Sequence, residues 1–189
     1  MNLDSFNSMR KESDRAAAVL GAAFLDSALG ELFESRCRPR VTADMLRANG
    51  VLGTFSNRIR MAYAIGWIAE DTHHDLHIVR KIRNEFAHHQ DHSLSFATPS
   101  IADTARELLV LRAVEDTVAT TVTSPIDDAL RERLERFKPP RVRFDLAIMV
   151  LTDVIEVAKG DPAVASTDAR SAVAFAKRSM ENVLRSRPT

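Results

Sequence analysis

The sequence predicts an all-α fold, a single-domain bundle of about six or seven helices. Apolar residues recur at steps of three and four along most of the chain, which is the period of an amphipathic helix. No stretch shows sustained strand-like alternation, and only six glycines occur among 189 residues, too few for a loop-rich or all-β chain. A chain of this length corresponds to roughly one domain and can bury a core without disulfides or metals.

The first half of the chain predicts four helices, each with an apolar stripe. They cover 13–36, 42–49, 54–70 and 75–88. Ser13, Thr42 and Thr54 are the expected N-caps, because their hydroxyls can accept hydrogen bonds from the first free amides of a helix. The 54–70 helix is apolar on two faces, and Gly66 inside it suggests a close approach by a neighbouring backbone.

The second half predicts four further helical segments separated by proline-containing breaks. They cover 101–117, 125–137, 144–158 and 168–185. Ser124 and Pro125 are typical of a helix start, and 161–167 is expected to be a linker. The 144–158 segment is apolar nearly all round, so we expect it to be the most central helix of the core.

Charge and composition exclude several classes of function. Basic and acidic residues are equal in number, 26 each, which argues against a protein that holds nucleic acid by its overall positive field. The single cysteine, Cys37, excludes an intrachain disulfide and favours the cytoplasm. The longest apolar run, 16–25, is too short for a membrane span, and the amino terminus has no signal-peptide pattern. No phosphate loop or dinucleotide fingerprint is present, so no cofactor is predicted.

One segment, from Gly50 to His89, carries a distinctive pattern of residues at fixed spacing. The positions that define it are Leu52 to Ser56, Arg58, Ile59, Ala62 to Ala64, Gly66, Ile68, Asp75, Leu76, Arg80, Ile82, Arg83, Asn84, Phe86, Ala87 and His88. Together with 21–26 and 141–144, this pattern resembles the mannitol operon repressor family of bacterial proteins. The resemblance covers residues 10–160 and leaves 161–189 as a linker and a C-terminal helical extension. It implies a cytoplasmic regulator of transcription.

The end of the same segment, 83–88, also resembles the R-x4-H signature of HEPN domains. These are helical bundles, often dimeric, and some are metal-independent endoribonucleases. That resemblance implies an alternative function with Arg83, Asn84 and His88 at the catalytic site. In such a site the histidine would move the proton of the attacking or leaving oxygen, and the arginine would stabilise the phosphorane charge.

The spacing of Arg83 and His88 argues against a nuclease site formed by one helix. Residues five apart on an ideal helix are separated by about 140°, so these two side chains do not share a stripe. Arg83 lies beside the apolar positions of its helix, where a guanidinium is partly desolvated and has to be paired. Asp75 and Glu70 are the carboxylates that we expect to pair with it.

The favoured hypothesis is a regulator that acts by contact with another regulatory or transport-related protein, as a homodimer, with no metal and no membrane. The candidate interaction and structural residues are Arg58, Tyr63, Asp75, Arg80, Arg83, Asn84 and His88.

The helices 54–70 and 75–88 could instead form a DNA-reading helix-turn-helix. Direct DNA binding is not expected, because the first helix is apolar on two faces and the 71–75 turn is acidic at both ends.

Two further clusters have a functional and a structural interpretation. His73 and His77, and also His88 and His92, have the i,i+4 spacing of metal ligands, but the glutamate of H-E-x-x-H is absent and solvated histidines are favoured. The segment 127–143 holds six basic and four acidic residues. A solvated helix face is the favoured interpretation of this segment, and a phosphate-binding patch is the alternative.

Overall fold

The computed structural model describes residues 3–89, 93–121, 135, 138–160 and 171–185. Within them the fold is all-α, as predicted, with no strand and with nine helices. The helices are α1 (Leu3–Lys11), α2 (Asp14–Arg36), α3 (Pro39–Leu46), α4 (Phe55–Ala64), α5 (Glu70–His88), α6 (Pro99–Arg106), α7 (Leu109–Thr121), α8 (Pro140–Lys159) and α9 (Ala172–Arg185). The predicted 125–137 helix and 161–167 linker fall almost wholly outside the described residues.

Two of the three predicted N-caps are confirmed. The hydroxyl oxygen of Ser13 accepts a hydrogen bond from the amide of Ala16, and that of Thr54 accepts one from Asn57, each at 3.2 Å. The prediction for Thr42 is wrong, because α3 already begins at Pro39 and the Thr42 hydroxyl donates to the carbonyl of Arg38, the residue before the helix. Proline suits the first position of a helix, since it lacks the amide hydrogen that would be unsatisfied there.

Gly66 ends a helix and does not lie inside one. Its φ of 73° is in the left-handed region, which turns the chain out of α4 and lets α5 begin at Glu70. The predicted 54–70 helix is therefore shorter, and the predicted 71–75 turn is part of α5. The close approach expected at Gly66 occurs instead at Gly21, where a Cβ atom would lie 3.0 Å from Cγ1 of Ile148.

Helices α2, α5 and α8 form the centre of the molecule. Helix α2 packs along α8 and α5, and α7 packs along α9. Helix α2 is the one helix among the described residues that is long and apolar enough, by length and composition alone, to cross a membrane, but its apolar face lies in the core of this bundle. Aromatic contacts join α5 to α8. The ring centroid of Phe96 lies 5.1 Å from that of Phe86 in α5 and 5.0 Å from that of Phe144 in α8.

The prediction that 144–158 is a core helix is confirmed for one broad face of α8. Phe144, Ile148 and Leu151 are completely buried. Val150 is only half-buried, and Val157 is 41% exposed, so the helix is not enclosed on all sides.

We expect Leu151→Ala to lower the free energy of unfolding by about 2–4 kcal/mol, because it leaves a cavity in the core. Val157→Ala, on the exposed side of the same helix, is the matched control and should change it by less than about 0.5 kcal/mol. Urea denaturation followed by circular dichroism measures both. Equal effects of the two substitutions would contradict the packing described here.

Candidate protein-binding surface

The structure divides the seven predicted residues into two sets. Arg58, Asp75 and Arg83 lie at least partly inside the bundle, where the first two hold helices together. Tyr63, Arg80, Asn84 and His88 lie on the opposite, solvent-facing side of α5 or next to it. In the first set, Arg58 and Asp75 stabilise the packing of the helices, whereas the residues of the second set are at least partly exposed to solvent.

Arg58 connects α4 to α2 and to the loop before α4. Its Nη1 lies 2.8 Å from Oδ1 of Asp26, and its Nε donates to the carbonyl of Leu52 at 2.8 Å. Burial raises the pKa of Asp26, although the charges of Arg58 and Arg83 act in the opposite direction. Arg58 is thus used inside the fold, and the carboxylate that interacts electrostatically with Arg83 is Asp26.

Asp75 caps the amino end of α7, so the prediction that it pairs with Arg83 is wrong. Its carboxylate oxygens accept hydrogen bonds from the amides of Leu109 and Val110, each at 2.9 Å. The side chain is fully buried, and burial raises its pKa. The predicted 101–117 helix is two helices, α6 and α7, and Asp75 caps the second of them.

A second capping site lies one turn earlier on α5 and was missed by sequence reasoning. Oδ2 of Asp71 accepts hydrogen bonds from the hydroxyl of Ser171 and the amide of Val173, both at 2.7 Å. Oγ1 of Thr72 accepts one from the amide of Ala172 at 2.9 Å. The first turn of α5 therefore caps α9 as well, across about a hundred residues of sequence.

The outer side of α5 carries a continuous stripe of imidazole, basic and amide side chains. Its members are His73, His77, Arg80, Lys81, Asn84 and His88, all within about a third of the helix circumference. Tyr63, 40% exposed, stacks on His73 with ring centroids 4.5 Å apart, and His73 meets His77 edge-on at 4.6 Å. We call the stripe together with Tyr63 the α5 surface.

The electrostatics of this surface combine neutral rings with fixed cations. Burial, together with smaller contributions from the neighbouring His73, Arg80, Arg60 and His74, lowers the pKa of His77 to about 4. The pKa of His73 is lowered for the same main reason, so both rings are neutral at pH 7. The Nε atom of Arg80 is buried, and no described residue forms a hydrogen bond with it. Tyrosine and arginine of this kind are enriched in protein interfaces.

One chain does not bring the residues of the nuclease alternative together. Helix α5 is continuous through His88, so Arg83 and His88 are separated by about 140° around its axis. Arg83 is half-buried on the side of Asp26, whereas His88 is exposed. His92 lies outside the described residues, and among those described no three histidine, cysteine or acidic side chains are grouped to hold a metal ion.

We expect Asp75→Ala to lower the free energy of unfolding by about 2–4 kcal/mol, because two backbone amides lose their acceptors in a buried site. Asp75→Asn keeps one acceptor oxygen, so its free energy of unfolding should fall by less than that of Asp75→Ala. Thermal and urea unfolding of the three proteins gives the comparison. A loss below about 0.5 kcal/mol for the alanine variant would contradict the capping role.

The low pKa of His77 predicts an acid-dependent loss of stability. The folded-state value of about 4 lies below the ordinary value of 6.5, so the unfolded chain binds more protons between these values. The contribution of neutral His77 to the free energy of unfolding is fully present above pH 6.5 and is lost as the pH falls toward 4. The difference in unfolding free energy between wild type and His77→Gln should therefore shrink between pH 7 and pH 4.5 on urea titration. A constant difference would contradict this.

The comparisons with known proteins agree with the architecture. The family model for the mannitol repressor, MtlR, matches residues 40–156, which run from α3 to α8 and include the α5 surface. Among solved structures, a chain of the X-ray structure of the MtlR–HPr complex from Escherichia coli shares the fold, with a TM-score of 0.53 and 20% identity. The match covers 81% of this chain and 97% of that chain. No curated protein matches in sequence. The match to the family model spans more than half of the sequence, and the chain belongs to the mannitol repressor family.

Proposed function

We propose that this protein is a cytoplasmic regulator of transcription that acts by binding another protein through its α5 surface. The observation that carries the proposal is the match of residues 40–156 to the mannitol repressor family. The related fold of a chain in the MtlR–HPr complex makes a protein of the HPr kind the first partner to test.

The chemistry of the α5 surface supports protein contact. Tyr63 and His73 present a stacked aromatic face, and Arg80 adds a cation with an unsatisfied Nε. The fixed charges in the middle of the stripe are the cations Arg80 and Lys81, so this part is suited to a partner face with acidic or neutral side chains. An interface of this composition binds through a few aromatic and arginine anchors.

Repression through a partner does not require that the chain reads DNA itself. The formal net charge of zero supports this proposal, and so do the capping contacts that Asp71, Thr72 and Asp75 at the start of α5 make with α7 and α9. No described contact favours the endoribonuclease alternative. The homodimer stays a prediction, and light scattering of the purified protein measures its mass.

We expect the purified chain to bind HPr from the same organism and Tyr63→Ala to weaken that binding about tenfold, because an exposed aromatic anchor is lost. Lys81→Glu should weaken it further by reversing one charge on the stripe. Isothermal titration calorimetry measures each affinity, and circular dichroism verifies folding.

Arg47→Glu is the matched control, since Arg47 is an exposed cation on the segment after α3, outside the α5 surface. It should bind as the wild type does. Equal affinity in all four proteins would place the contact elsewhere on the molecule. No binding of HPr, together with salt-dependent binding of DNA by the wild type, would overturn the proposal.

A further inference from the structure

We infer that an open groove between α6, α7 and the start of α8 binds a small phosphate-bearing molecule. The groove has a volume of about 520 Å³, within the range of small-molecule sites. The lining side chains that the structure describes are four cations and one carboxylate, namely Arg106, Arg112, Lys138, Arg143 and Glu115. This groove is separate from the α5 surface and does not depend on the partner proposed for it.

Arg143 is the fixed element of the groove. Its side chain is only 7% exposed, and its terminal nitrogens pair with the half-exposed carboxylate of Glu115. Its Nε atom is buried and has no hydrogen-bond partner among the described residues. A desolvated guanidinium with an unsatisfied N–H group is stabilised by a further anion nearby, and α8 already holds this one in position.

Arg112 supplies the accessible cation. Its Nε donates to the carbonyl of Arg106 at 2.9 Å, which orients the exposed guanidinium at the groove. Its two terminal nitrogens make no hydrogen bond to the described residues. Such a planar fork of N–H groups fits two oxygen atoms of a phosphate group.

The charge balance of the groove favours an anionic ligand. Arg106 pairs with Asp103, Lys138 with Glu135, and Arg143 with Glu115, which leaves Arg112 unpaired in the described part of the chain. The chain as a whole is neutral, so this is a local excess of positive charge. A phosphate monoester carries close to two negative charges at pH 7 and binds arginine more strongly than a single carboxylate does.

The test is calorimetric titration of the full chain with inorganic phosphate, with mannitol 1-phosphate and with mannitol. We expect one or both phosphate species to bind and mannitol not to bind. Binding of mannitol 1-phosphate alone would identify a phosphorylated small molecule as the ligand. Equal binding of both species would show that the groove recognises the phosphate group itself. Arg112→Gln, at an exposed site, should weaken the binding about tenfold, because one charge-assisted pair of hydrogen bonds is lost.

Arg47→Gln is the matched control, an exposed arginine outside the groove that should leave phosphate affinity unchanged. Both variants should retain wild-type affinity for HPr, which separates this inference from the proposed function. Absence of binding by either phosphate species would overturn the inference. So would equal affinity for mannitol, or an affinity that Arg112→Gln does not change.

Discussion

The buried carboxylate of Asp75 holds the amino end of α7 against the middle of the bundle, and Asp71 and Thr72 hold the amino end of α9 in the same way. The first amides of a helix have no partner within it, and in a protein interior such groups destabilise the fold unless an acceptor reaches them. One turn of α5 provides these acceptors for two other helices. The placement of α7 and α9 therefore depends on three side chains of α5.

This arrangement also explains why α5 presents a well-defined outer face. Its inner side is fixed by the capping contacts and by buried residues such as Leu76, Ile82 and Phe86. The opposite side carries histidines, an arginine and a lysine that are at least partly exposed. A helix anchored over its whole length holds its exposed residues in fixed relative positions, which lowers the conformational entropy lost when a partner binds.

The charged side chains of the molecule fall into two groups, one that links helices and one on the surface. Inside the bundle, Arg58 and Asp26 link α4 to α2, and Arg141 links the start of α8 to Asp14 at a distance of 2.9 Å. On the surface, α5 and the groove beside α7 each present cations in local excess. Since the whole chain is neutral, these cations are local features of the surface and do not form an overall positive field.

The sequence by itself determined the helical class, two N-caps, the central place of α8 and the segment that carries the family pattern, because these follow from local periodicity and hydroxyl chemistry. It also located Tyr63, Arg80, Asn84 and His88, which the structure places on or beside one exposed face. Only the tertiary structure decided the roles of Asp75, Asp71 and Asp26, because their partners lie between about 30 and 100 residues away. Hydrogen bonds between distant segments leave no periodic signal, so the sequence shows the carboxylates but not the amides and guanidinium groups that they bind.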